Sequence, residues 1–184
     1  ISTNTYSGIY VYDNNWNPVL GNEVTITGKI EEYYGFTEIS FTTVTILSSD
    51  NQVPEPIAVT TGELASAASA EEYEGCLVKI EGAVVTQLPN SYGEWYVDDG
   101  SGECQIDNGI FDYSPTNLGE EIASIVGAVD YSYDAYAINP RNAGDIGGGT
   151  GTLGCNKIGR AGPPLPLIPF VPAHKLDCYG TLLI

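Results

Sequence analysis

From Ile9 to Leu47 the chain runs in short alternations of apolar and polar residues, rich in Val, Ile, Thr and Tyr and broken by Gly, Asn and Asp. A period of two places successive side chains on opposite faces of a sheet, so the pattern predicts half-buried strands joined by turns. Gly8 to Tyr12 reads as one strand, Glu23 to Tyr33 as a long one, and Phe36 to Leu47 continues the sheet after the Tyr34-Gly35 break. Gln52 to Pro56 reads as a linker. Thr61 to Tyr73 is the one segment with a helical signature, because Ala dominates, Thr61 can cap and Glu63 enriches the first turn. Strand patterns resume at Cys76 to Thr86, Glu94 to Asp98, Glu103 to Ile106, Glu121 to Asp130 and Tyr136 to Ile138. The fold class expected is all-β.

The alternation contains a repeat. Leu20-Gly-Asn-Glu-Val-Thr-Ile-Thr-Gly28 matches Leu118-Gly-Glu-Glu-Ile-Ala-Ser-Ile-Val-Gly127 with one residue inserted, and Ser7-Gly-Ile-Tyr-Val-Tyr-Asp13 occupies the place of Ser101-Gly-Glu-Cys-Gln-Ile-Asp107. Gly28 to Ile39 and Gly127 to Ile138 share one spacing. Duplication is the simplest account. The second copy is preceded by Leu77 to Thr86 and Glu94 to Asp99, a strand pair with no counterpart before the first copy, which predicts an incomplete first module.

Those residues, with Glu74-Gly-Cys-Leu-Val-Lys-Ile-Glu81 and Val97-Asp-Asp-Gly-Ser-Gly102, resemble the OB-like modules that accompany endonuclease/exonuclease/phosphatase-type catalytic domains in secreted bacterial nucleases and related exported proteins. The resemblance covers about Ser7 to Ile146. It implies tandem OB-like Greek-key barrels, with residues 1–60 an incomplete module, 61–74 a bridging helix and 75–146 a complete five-stranded module. It specifies fold, and implies no activity.

After Ile146 comes Gly147-Gly-Gly-Thr-Gly151 and then an apolar, proline-rich stretch, so residues 147–184 read as a glycine linker and a tail. Leu153 to Ile158 and Lys175 to Ile184 are expected as short strands clipped to each other, with Pro163 to Pro172 an extended connector. Such a strand pair would supply what the first module lacks. The candidate assembly residues are Ile9 and Val11 on the module and Leu165, Leu167, Ile168, Phe170, Val171, Leu176, Tyr179, Leu182 and Leu183 on the tail.

Charge narrows the partners. Asp and Glu number 24 against 6 Lys and Arg, a formal charge of -18, which repels nucleic acid and anionic membranes. Cys76, Cys104, Cys155 and Cys178 are irregularly spaced with no CxxC, so disulfides are expected in place of a zinc or redox site; adjacency favours Cys76 with Cys104 and Cys155 with Cys178, and the other connectivities stay open. The chain has no Met, Ile1 reads as a product of processing, and no stretch resembles a signal peptide or a membrane span. With the disulfides this predicts an extracellular or cell-surface protein that does not insert into membranes.

His174 is the single histidine, so no histidine-based triad or nuclease centre can be written, and no enzyme activity is expected. No cofactor is expected either. Asp98 to Glu103 has the oxygen-rich look of a calcium loop, making Asp98 and Asp99 weak calcium candidates against a structural turn. Tyr33, Tyr34, Tyr131, Tyr133 and Tyr136 are read as sheet packing, with a stacking platform as the sharper alternative. The function expected is a structural fibre subunit that assembles with copies of itself, the tail of one copy adding strands to the open module of the next. The alternative is a monomeric binding module or adhesin recognising carbohydrate through Trp95, Tyr96 and other aromatics, its tail docked in cis.

Overall fold

A computed structural model describes residues 5–13 and 17–149, together with the backbone strands at 152–153 and 180–183. The elements in order are β1 (Tyr10–Val11), β2 (Glu23–Tyr33), β3 (Phe36–Ser48), β4 (Ile57–Ala58), α1 (Thr61–Leu64), α2 (Ala67–Ala70), β5 (Leu77–Gln87), β6 (Trp95–Asp98), β7 (Cys104–Ile106), β8 (Tyr113–Ser114), β9 (Glu121–Ser132), β10 (Ala135–Asn139), β11 (Ile146–Gly147), β12 (Thr152–Leu153) and β13 (Gly180–Leu183). Single 3-10 turns lie at Glu71–Tyr73 and Ala143–Asp145.

Strands β5, β6, β7, β10 and β9 pair in that order, and β9 returns to β5, closing a five-stranded barrel. All contacts are antiparallel except β7 with β10, which is the connectivity of an OB-like Greek-key barrel. Closure leaves no edge in the wall. Inward positions follow the period of two: Val78, Ile80, Val85, Trp95, Val97, Ile106, Ile122, Ile125, Val129 and Ile138 are buried together. The fold is all-β with few helices, as expected.

The N-terminal strands repeat part of this wiring. β1 runs parallel to β3 with Val11 opposite Ile39, and β2 runs antiparallel to β3, just as β7 runs parallel to β10 with Ile106 opposite Ile138 and β9 antiparallel to β10. The repeated glycines serve one purpose in both copies. A Cβ on Gly28 would sit 2.5 Å from Ile39 Cγ2, and one on Gly127 would sit 2.5 Å from Ile138 Cγ2. The small core here comprises Ile9, Val11, Val24, Ile26 and Ile39. Its sheet has the order β1-β3-β2-β13 and is open.

The helical segment departs from expectation. Thr60, not Thr61, is the N-cap: its side chain accepts from the Glu63 N–H while the Glu63 carboxylate accepts from the Thr60 N–H. Helix α1 then stops after one turn, because Ser66 is extended (φ -124, ψ 131) and starts α2 afresh. Alanine content was a fair guide to helix and a poor one to continuity. Two short strands of the tail are described. β12 pairs antiparallel with β8 and β13 pairs antiparallel with β2, Leu182 standing opposite Val24, while the expected clip between Cys155 and Cys178 lies outside the described residues.

Candidate functional site

Ile9 and Val11 were expected at an assembly surface. They are buried in the small N-terminal core, where the alternation of β1 points them at Val24, Ile26 and Ile39. Leu182 and Leu183 lie in β13, on the flank of β2. Leu165, Leu167, Ile168, Phe170, Val171, Leu176 and Tyr179 lie outside the described residues, as do His174, Cys155 and Cys178.

Cys76 and Cys104 are free thiols, which corrects the expected bridge between them. Both are fully enclosed in the barrel core, where each acts as a small apolar side chain. Cys76 Sγ lies 3.8 Å from Ser7 Oγ. Burial pushes the Cys76 thiol up, and burial together with Asp99, Asp98 and Glu103 pushes Cys104 up to about 12.

The Asp98–Asp99 loop spends its carboxylates on the protein itself. Asp98 Oδ1 accepts from the N–H groups of Gly100 (2.7 Å) and Gly102 (3.1 Å). Asp99 accepts from the Thr61 N–H at 3.0 Å, the Thr61 hydroxyl at 2.7 Å and the Ser101 N–H at 3.0 Å. Partial burial opposes ionisation of Asp99, but the bonds from Ser101 and Thr61 prevail and hold its carboxyl down to about 2. The loop therefore fastens α1 to the β6–β7 turn. Among the described residues no group of three or more His, Cys, Asp or Glu side chains is placed to hold a metal ion.

Trp95, placed in a sugar site by the alternative reading, is a core residue at 1 % exposure, its ring tilted against Tyr113 with 5.7 Å between ring centroids. The exposed aromatics are elsewhere, at two hairpin tips. Tyr34 (φ 52) with Gly35 (φ 87) turns β2 into β3, and Tyr133 (φ 51) with Asp134 (φ 65) turns β9 into β10. Such two-residue turns with two positive φ values favour Asn and Gly, so Tyr in the left-handed region is held there against its preference. Tyr34 and Tyr133 are 87 % and 95 % exposed. The tips are neighbours: a Cβ on Gly35 would lie 2.7 Å from the Tyr131 ring.

A second cluster, missed in the sequence, lies where the N-terminal sheet meets the barrel. The Thr37 N–H donates to Glu74 Oε1 at 2.8 Å, and the Tyr6 N–H donates to the Glu72 carbonyl at 2.7 Å. The backbones of Gly8 and Gly75 approach so closely that a Cβ on Gly8 would fall 1.7 Å from the Gly75 oxygen. Into this seam point four enclosed polar atoms that no hydrogen bond of ordinary geometry satisfies: Tyr10 Oη, Glu74 Oε2, Asp130 Oδ1 and Asn139 Nδ2, with Asn139 near enough to Asp130 to favour its carboxylate. Burial, then the Asp107 charge, raises Asp130 to about 7 against the help of Asn139; burial also raises Glu74, and burial with Glu38 nearby raises Tyr10 to about 12. The signal available was a carboxylate inside an apolar run, Gly127-Ala-Val-Asp130, which the strand reading passed over.

Among the described residues no helix is long and apolar enough to cross a membrane. No family model and no solved structure matches the chain. Over 73 residues, 39% of its length, the chain is 38% identical to Endonuclease YhcR of Bacillus subtilis (strain 168). That stretch spans 6% of the relative, so the chain is similar to a small part of a much longer endonuclease, in keeping with an OB-like module of the kind that accompanies nucleases.

Proposed function

We propose that this protein is a non-catalytic structural subunit of an extracellular fibre, in which the C-terminal strand of one copy completes the N-terminal sheet of the next. The observation that supports the reading is the antiparallel pairing of β13 with β2. In the barrel, β9 has β5 as its antiparallel neighbour; β2, the counterpart of β9, has β13 in that place. A strand drawn from 158 residues away in the chain, as Leu182 is from Val24, can be exchanged between identical copies, since the same backbone bonds form either way. Head-to-tail exchange does not close on itself, so it propagates a filament.

The experiment mixes two full-length variants, Thr25→Cys and Thr181→Cys, whose positions face each other in the β2–β13 register. A directly opposed pair lies within disulfide reach. Cross-linking between copies, read as dimers on a non-reducing gel, is the expected result. If only the double variant forms the bond, and within one chain, the fibre reading is overturned.

The exposed tyrosines favour a second reading, a carbohydrate-binding module. Tyr34 and Tyr133 present flat apolar faces at adjacent tips, and left-handed strain at exposed residues is a pointer to function. Here Tyr34→Ala and Tyr133→Ala would abolish retention on neutral polysaccharide while leaving the unfolding midpoint in place; unaltered retention rejects it.

A further inference from the structure

We propose that the seam between the N-terminal sheet and the barrel is a proton-operated clasp, in which Asp130 and Glu74 take up protons as the two units close, so that mild acidification locks them together. The inference is independent of fibre assembly.

Its basis is the convergence of orphaned polar atoms at one interface. Natural proteins pair nearly all enclosed polar groups, so a cluster of four unpaired ones in one seam calls for an occupant. Glu74 and Asn139 are 8 % and 3 % exposed, and Asp130, although partly exposed as a residue, has one carboxylate oxygen fully enclosed. The groups facing Asp130 are Asp107 beyond β7, Glu74 ahead of β5, Asn139 at the end of β10 and Tyr10 on β1, and Glu38 on β3 faces Tyr10. Glu74 in turn faces Glu71 and Glu32. None of these is basic. The described cations are engaged elsewhere, Lys29 with Glu31, Lys79 with Glu81 and Arg141 with Asp145. Nothing described in the seam neutralises the carboxylates, and the proton is the occupant that does so without space or a coordination shell. A protonated carboxyl also becomes a donor, so Asp130 and Glu74 can then bond to a neighbouring acceptor where the ionised pair can only accept.

The sign follows from linkage. A carboxyl that titrates near 7 when closed and near 3.8 when open binds more protons in the closed state. The seam is then tightest below about pH 4, and its stability falls as pH rises until Asp130 is fully ionised above about 7. Raised Glu74 acts in the same direction.

Hydrogen exchange on the full chain, corrected for the intrinsic rate at each pH, reads the clasp at the amides of Thr37 and of residues 8–11. Protection there is expected to fall at least about tenfold from pH 5 to pH 8, one unit of linked titration, while β5 and β6 stay unchanged. In Asp130→Asn the seam should stay protected at pH 8 and lose most of its pH response. Glu74→Gln, which retains the Oε1 acceptor for Thr37, should weaken the response and serves if the first variant fails to fold. A seam whose protection does not change with pH, or an Asp130→Asn protein with the full response, overturns the proposal.

Discussion

At the residue scale the cysteines show how far chemistry depends on place. Four irregularly spaced cysteines in an acidic chain read as a disulfide framework, yet Cys76 and Cys104 are walled into the barrel as apolar filler. A thiol reacts as its thiolate, and burial holds both far from ionisation, Cys104 up to about 12. In native protein at pH 8, iodoacetamide should therefore leave the Cys76 and Cys104 peptides unlabelled for hours by mass spectrometry, and label both at once in urea. Fast native alkylation of Cys104 would contradict its enclosure. The tyrosines carry the converse lesson. The sequence grouped Tyr136, buried at 7 % exposure, with the exposed Tyr133 as sheet packing, since both stand beside the same turn. Turn geometry, with Tyr133 at φ 51, sends one ring to solvent and leaves the other packed on Tyr131 at 4.7 Å.

At the scale of elements, the Asp98–Asp99 loop is a structural turn that fastens α1 to the barrel. Asp99 receives four protein hydrogen bonds, from the backbone N–H and the hydroxyl of both Thr61 and Ser101. Asp99→Ala should cost about 2 kcal/mol, the usual worth of bonds to a charged acceptor, read as a lower urea midpoint at pH 7. Because the carboxyl is held at about 2, below its ordinary 3.8, its contribution is intact above pH 4 and disappears as pH falls through 2. The gap between variant and wild type should accordingly narrow toward pH 2; an equal gap at both pH values would show that the loop is held by something other than this ionised side chain. The strands were largely legible in the sequence. Glu23 to Tyr33 was bounded correctly because a period of two and a Tyr-Gly turn both act locally. The break in the helix was not legible, since it depends on the extended backbone of Ser66. Nor was the pairing of β13 with β2, because backbone bonds carry no side-chain signature that says which edge a strand will meet.

At the scale of the whole molecule, the two sheets are unequal partners. The barrel is closed and holds a large apolar core, whereas the N-terminal sheet is open and packs Ile9, Val11, Val24, Ile26 and Ile39. So little buried area cannot offset the ordering of thirty or so residues, at roughly 1–2 kcal/mol each for backbone alone, and the sheet must lean on what it touches. Gly8 and Gly75 are where it touches most closely, and Gly75 stands at φ +73. Gly8→Ala would place a methyl 1.7 Å from the Gly75 carbonyl oxygen, a contact of backbone with backbone that no rotamer change relieves. The seam should part, taking with it the Thr37 bond to Glu74 and the Tyr6 bond to Glu72. Thermal unfolding should then split in two, the N-terminal sheet melting first and the barrel near its original temperature, with exchange at β2 and β3 rising long before that at β5 and β6. A single transition merely displaced downward would mean that the barrel depends on the sheet as much as the sheet depends on the barrel, and that the closed wall of β5, β6, β7, β10 and β9 is not the independent unit its core makes it.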